Sequence, residues 1–100
     1  MKFSNNLSDA ETERLAILAE ECAEVVQVVG KILRHGYESS HPRRPEQGTN
    51  RQHLEEELSN VGVIMTLMVD RKDIDPDSLQ ERYEAKKQNI GQYLHHQEGV

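Results

Sequence analysis

The chain has 100 residues, of which 35% are apolar and only 4% aromatic, and it carries a formal charge of −6. That length suits one domain, spanning 1–100, with a modest aliphatic core, and the acidic balance argues against general nucleic-acid binding, which needs a basic surface. No apolar run reaches membrane-spanning length and the N-terminal residues lack the apolar centre of a signal peptide, so a cytoplasmic protein without a membrane partner is expected. The single cysteine, Cys22, cannot form an internal disulfide. It falls on an apolar face and is expected to be a small buried thiol in a reducing compartment. With so small a core and sustained apolar stripes, oligomerisation is expected as well.

The first predicted helix opens at "SDAE", where Ser8 as N-cap and Glu11 three residues on form a capping box. Leu15, Leu18, Cys22, Val25, Val29 and Ile32 keep helical spacing, and the helix runs to Arg34 or His35 before Gly36 supplies a left-handed stop. Gly30 marks a weak point or a close approach of another backbone. Residues 37–50, "YESSHPRRPEQGTN", hold two prolines, a glycine and no periodicity, and read as a loop. Thr49 and Gln52 form a second capping box for a helix carrying Leu54, Leu58, Val61, Met65 and Met68, which ends near Asp70 to Lys72. In "DIDPDS", Asp75 is an N-cap and Pro76 the first residue of a third helix with Leu79, Tyr83, Ile90 and Leu94. The tail at 95–100 is expected to fray. The pattern is all-α, a long first helix, a loop and two further helices, with no strand signal.

Carboxylates interrupt the apolar faces of the first two helices in the same way. With Glu21 at zero on a helical wheel, Val28, Ile32, Val25 and Ile17 fall within about 40°, and Glu24 lies about 60° to one side. With Glu57 at zero, Ile64, Met68 and Val61 fall within about 40°, and Asn60 lies about 60° to the same side. Carboxylates in a helix interface repel one another and lose hydration, at a cost of several kcal/mol unless compensated. The apolar faces hold no Arg or Lys near them. Oxygen donors from facing helices suit a hard cation, Mg²⁺ with Mn²⁺ as a substitute, and helix bundles build metal sites in this way.

These residues carry a resemblance. "EECAE" on one helix and "EEELSN" on the next, separated by a loop, resemble the E-x-x-E and E-x-x-D motifs of the MazG-like all-α nucleotide pyrophosphohydrolases, over roughly Leu15 to Met68. The resemblance implies a helical bundle assembled as a homodimer or homotetramer. It also implies Mg²⁺-dependent hydrolysis of (deoxy)nucleoside triphosphates to the monophosphate and pyrophosphate, for cleansing nucleotide pools. By position the metal ligands are Glu21, Glu24, Glu57 and Asn60, with Glu21, Glu24 and Glu57 as catalytic carboxylates and Glu21 or Glu24 accepting the proton of the attacking water. Asn60 departs from the family's acid. Its amide oxygen can bind a cation, but one negative charge is lost. The interval between the motifs is long, and the extra length lies in the 37–50 loop. Two other readings follow: a phosphoribosyl-ATP pyrophosphohydrolase on the same scaffold, or a catalytically weak nucleotide-binding, metal-binding or interaction protein that retains it.

Lys31, Arg34, Arg43, Arg44 and Arg51 form a locally basic stretch against Glu38 and Glu46 alone. It suits triphosphate binding, and Lys31 and Arg34 are the preferred candidates because they lie about two turns beyond Glu24. On the last helix, Lys86, Asn89 and Tyr93 in "KKQNIGQY" resemble the polar residues that family members turn toward the nucleotide. The five histidines show no metal-ligand spacing, and no phosphate-binding glycine loop is present.

Overall fold

The computed structural model describes residues 4–100 and is all-helical: α1 (Asp9–His35), α2 (Asn50–Asp70) and α3 (Pro76–Asn89), with 3₁₀ turns at Pro45–Gln47 and Ile90–Tyr93. No strand is present among the described residues, where the Ser40–Thr49 pair forms an isolated β-bridge. No described helix is long and apolar enough to cross a membrane. The chain divides into two compact units, up to Leu67 and from Met68 onward.

In the first unit, Ser8 caps α1 as the sequence predicts. Its hydroxyl accepts from the Glu11 N–H at 3.1 Å, and the Glu11 carboxylate accepts from the Ser8 N–H at 2.9 Å. At the other end Gly36 adopts φ 88°, a value that favours glycine, but with an extended ψ of 167°, so the stop is not the left-handed helical one. Thr49 and Gln52 make the second capping box, at 2.9 and 3.2 Å.

The 37–50 segment is tied at both ends. The buried Asn50 side chain donates to the Gly36 carbonyl at 3.1 Å, the Asn50 N–H donates to Ser39 O, and the Arg51 N–H donates to Tyr37 O. Arg51 also pairs with Glu38 at 2.6 Å and covers the Tyr37 ring at 4.3 Å. These bonds bring the end of α1 to the start of α2. Among the described residues Gly30 meets no foreign backbone; the nearest group to its missing side chain is the Arg34 guanidinium one turn on.

In the second unit α2 stops with paired bonds, Lys72 N–H to Val69 O and Asp73 N–H to Met68 O, and Lys72 occupies the left-handed position at φ 67°. Asp75 caps α3 by accepting from the Ser78 N–H at 3.2 Å, and Pro76 opens it. The third helix does not carry its α-form to Leu94. It tightens into 3₁₀ geometry at Ile90, one residue before Gly91, where a side chain would strike the Val100 carbonyl oxygen at 2.8 Å.

The core differs most from the sequence expectation. Among the described residues only Val28, Ile64 and Met68 are buried apolar side chains. Leu15, Val29, Leu58 and Met65, all on expected apolar faces, are exposed, and so is Cys22. The reason is that α1 is apolar on more than one side. Its line through Glu21 and Val28 faces inward. A second line, Leu15, Ala19, Cys22, Val26, Val29 and Leu33, repeats every four and three residues and is exposed throughout, with Val26 at 70% and Leu33 at 82%.

Candidate functional site

Three of the sequence-predicted carboxylates come together in the first unit. Glu21 and Glu24, one turn apart on α1, and Glu57 on α2 each offer an oxygen within 4.8 Å of the others. All three are half-buried, whereas their neighbours Glu20, Glu55 and Glu56 are exposed. The helical register explains the difference. Val28 and Ile64, buried on α1 and α2, lie seven residues beyond Glu21 and Glu57 respectively, so each glutamate stands two turns along its helix's inward line.

The electrostatics are those of a site short of positive charge. Glu21 Oε2 and Glu57 Oε2 are shielded from solvent with no hydrogen-bond partner, although buried polar atoms are nearly always satisfied. The Glu24 carboxyl is raised from 4.5 to about 7, first by a side-chain hydrogen bond with Glu57 and repulsion from it, then by partial desolvation and the charges of Glu21 and Glu20. A divalent cation would answer both features, because it supplies charge to all three carboxylates and a partner to the two orphaned oxygens.

A pH dependence follows for the metal-free chain. Unfolded, Glu24 releases its proton near 4.5; folded, it keeps it to about 7. Between those values the folded chain holds more protons, so this group's contribution to stability falls as pH rises. Thermal melts in EDTA are expected to show wild type losing melting temperature relative to Glu24→Gln across that window. A difference that is flat, or that moves the other way, contradicts the shared-proton arrangement.

Asn60 lies one turn beyond Glu57 on α2 and is half-buried. Lys31 and Arg34 line a cavity of about 480 Å³ at the junction of α1, the loop and α2, together with His35, His41, Asn50 and His53. Arg51 does not join them in an open basic patch, because Glu38 takes its charge. Lys86, Asn89 and Tyr93 belong to the second unit and are exposed, with the Lys86 ammonium 5.0 Å from the centre of the Tyr93 ring. Sequence reasoning missed the cavity and the histidines within it. Their grouping depends on how the loop closes, which no local spacing encodes.

Comparison of the chain with protein-family models, curated proteins and solved structures finds no match.

Proposed function

We propose that this chain is a metal-dependent nucleoside triphosphate pyrophosphohydrolase of the MazG-like type, acting as a homo-oligomer. The observation that carries the reading is the carboxylate trio with two shielded, partnerless oxygens drawn from two helices. Glu21, Glu24 and Glu57 would hold the cation, Mg²⁺ or Mn²⁺, with the Asn60 amide oxygen as a neutral fourth donor. When bound, the cation would offset the negative charge of the phosphates and orient them. Glu21 or Glu24, one turn apart on α1, would accept the proton of the attacking water as the bond between the α- and β-phosphates breaks. The products are the nucleoside monophosphate and pyrophosphate. Lys31 and Arg34 supply the positive charge on α1 that a triphosphate needs.

A second reading, nucleotide or metal binding without useful turnover, is favoured by Asn60, which leaves the ligand set one charge short of the family's motif. Incubation with a panel of ribo- and deoxynucleoside triphosphates and Mg²⁺ separates the two. Pyrophosphate release supports the hydrolase; orthophosphate alone, or no turnover with any nucleotide, removes it. Asn60→Asp is expected to raise metal affinity and turnover about tenfold, the scale of one restored charge-assisted ligand. Unchanged turnover would show that the amide already suffices or that position 60 lies outside the ligand set.

The oligomer is supported by the exposed stripe on α1. A chain with so few buried apolar side chains leaves a heptad-spaced face to water. A second copy presents the same face, so an isologous interface buries both.

A further inference from the structure

The cavity at the end of α1 has a charge character unlike the rest of the molecule. The chain carries 18 acidic and 12 basic residues, yet no carboxylate lines this cavity. Lys31 and Arg34 do line it, and neither has an ion-pair partner among the described residues. Two uncompensated cations beside one concavity, in an acidic protein, call for an anion.

The neutral lining agrees with that. Ser39 and Ser40 bring hydroxyls, and Gln47 brings a side-chain amide. His41 accepts the Arg43 N–H through Nδ1 at 3.1 Å, so a neutral ring carries its proton on Nε2 and offers a donor there. His53 Nε2 lies 2.9 Å from the Gln47 carbonyl, which can only accept, so His53 donates and holds that turn of the loop in place. The amino end of α2 is not the anion donor. The N–H groups of Asn50, Arg51 and Gln52 are taken by Ser39 O, Tyr37 O and Thr49 Oγ1. Recognition therefore falls to side chains, with arginine able to grip two phosphate oxygens at once.

Size narrows the ligand further. A volume of about 480 Å³ exceeds what orthophosphate fills and lies within the range of small-molecule sites. We propose that this cavity is a binding site for a diphosphate or longer polyphosphate group, held by Lys31 and Arg34 and enclosed by the 37–50 loop. Binding needs no metal. Only the natural source of the phosphates rests on the pyrophosphohydrolase reading: Lys31 lies about 10 Å along α1 from Glu24, close enough for one polyphosphate-bearing ligand to approach both regions.

Titration of the ¹⁵N-labelled chain with sodium pyrophosphate in EDTA tests this directly. Saturable shifts are expected at the Ser39, Ser40, His41 and Gln47 amides, with much weaker response to orthophosphate. Arg34→Ala is expected to weaken binding about tenfold, Lys31→Ala/Arg34→Ala more, and Arg34→Lys to recover part of the loss. Both positions are exposed on a helix surface, and circular dichroism melts verify that the variants fold. A nucleoside triphosphate shifting the same amides in EDTA identifies the phosphate tail of a nucleotide as an accepted source; pyrophosphate alone doing so identifies the free anion. No saturation in the millimolar range, unchanged affinity in the double variant, or shifts confined to the Lys86–Tyr93 region overturns the proposal. Pyrophosphate binding in EDTA, with no nucleotide hydrolysed under Mg²⁺, would leave this site standing and remove the hydrolase reading; turnover without such binding would do the reverse.

Discussion

Replacing Glu57 by glutamine is expected to abolish Mg²⁺-dependent pyrophosphate release while raising the melting temperature of the metal-free chain. The two effects have one cause. In the absence of metal, Glu57 is the main source of strain on Glu24, through the shared proton and through charge repulsion. Its own Oε2 is shielded and unpartnered. An amide of the same shape removes the repulsion and can donate to Glu24, so the metal-free fold gains stability above the pH at which Glu24 would otherwise ionise. The same change removes a charged ligand from the proposed cation site. Loss of several kcal/mol of cation-mediated stabilisation in the transition state corresponds to a fall in turnover on the order of a thousandfold.

Opposite movement of stability and activity marks a functional site kept at a cost to the fold. A merely structural Glu57 would lower both together. Melts in EDTA and in Mg²⁺, read beside pyrophosphate release, check each half. Wild type is expected to gain melting temperature on adding Mg²⁺, because the cation binds the folded trio. The variant is expected to gain little. Retained activity, or a less stable metal-free variant, contradicts the assignment of Glu57.

The place of each glutamate on its own helix was legible from helical arithmetic, whereas their meeting across α1 and α2 was expected only from the pairing of the two motifs and their resemblance. Glu21 with Val28, and Glu57 with Ile64, share a line at a separation of seven, so a single inward residue on each helix fixes where its glutamate stands. The capping boxes at Ser8 and Thr49, and the Asp75–Pro76 start, were legible for the same reason: every bond in them spans three residues. The cavity was not. It is closed by bonds such as Asn50 to Gly36, fourteen residues apart, and by the Glu38–Arg51 pair, thirteen apart, for which the sequence offers only a run of polar residues. Cys22 shows a different limit. Periodicity correctly placed it among apolar neighbours, but a helix with two apolar lines does not say which of them its own chain covers. Periodicity finds faces; it does not find their partners.

That second line on α1 leads to the other large effect. On the proposed homo-oligomeric reading, Val26→Asp/Leu33→Asp is expected to be monomeric by light scattering under conditions where wild type is assembled. The stripe from Leu15 to Leu33 alternates steps of four and three, the spacing that lets two helices seat side chains between one another. Val26 and Leu33 are its most exposed large members. An unpaired carboxylate at an apolar interface costs several kcal/mol, and a two-fold interface meets each substitution twice, so association is expected to weaken on the order of a thousandfold or more. Cys22 reports on the same face independently. Open to solvent in the single chain, its thiol lies between Ala19 and Val26 on the stripe, so pairing with a second copy covers it. A thiol reagent is therefore expected to react slowly with wild type at high protein concentration and quickly with the double variant. Dilution of wild type should carry the reaction from the slow regime to the fast one, because the covered fraction follows mass action. A monomeric wild type, or an unchanged assembly and thiol rate in the double variant, would assign this face to something other than a second copy. With assembly lost, the α1 stripe no longer gains burial from a partner, and with only Val28, Ile64 and Met68 buried within the described chain, the melting temperature is expected to fall with it.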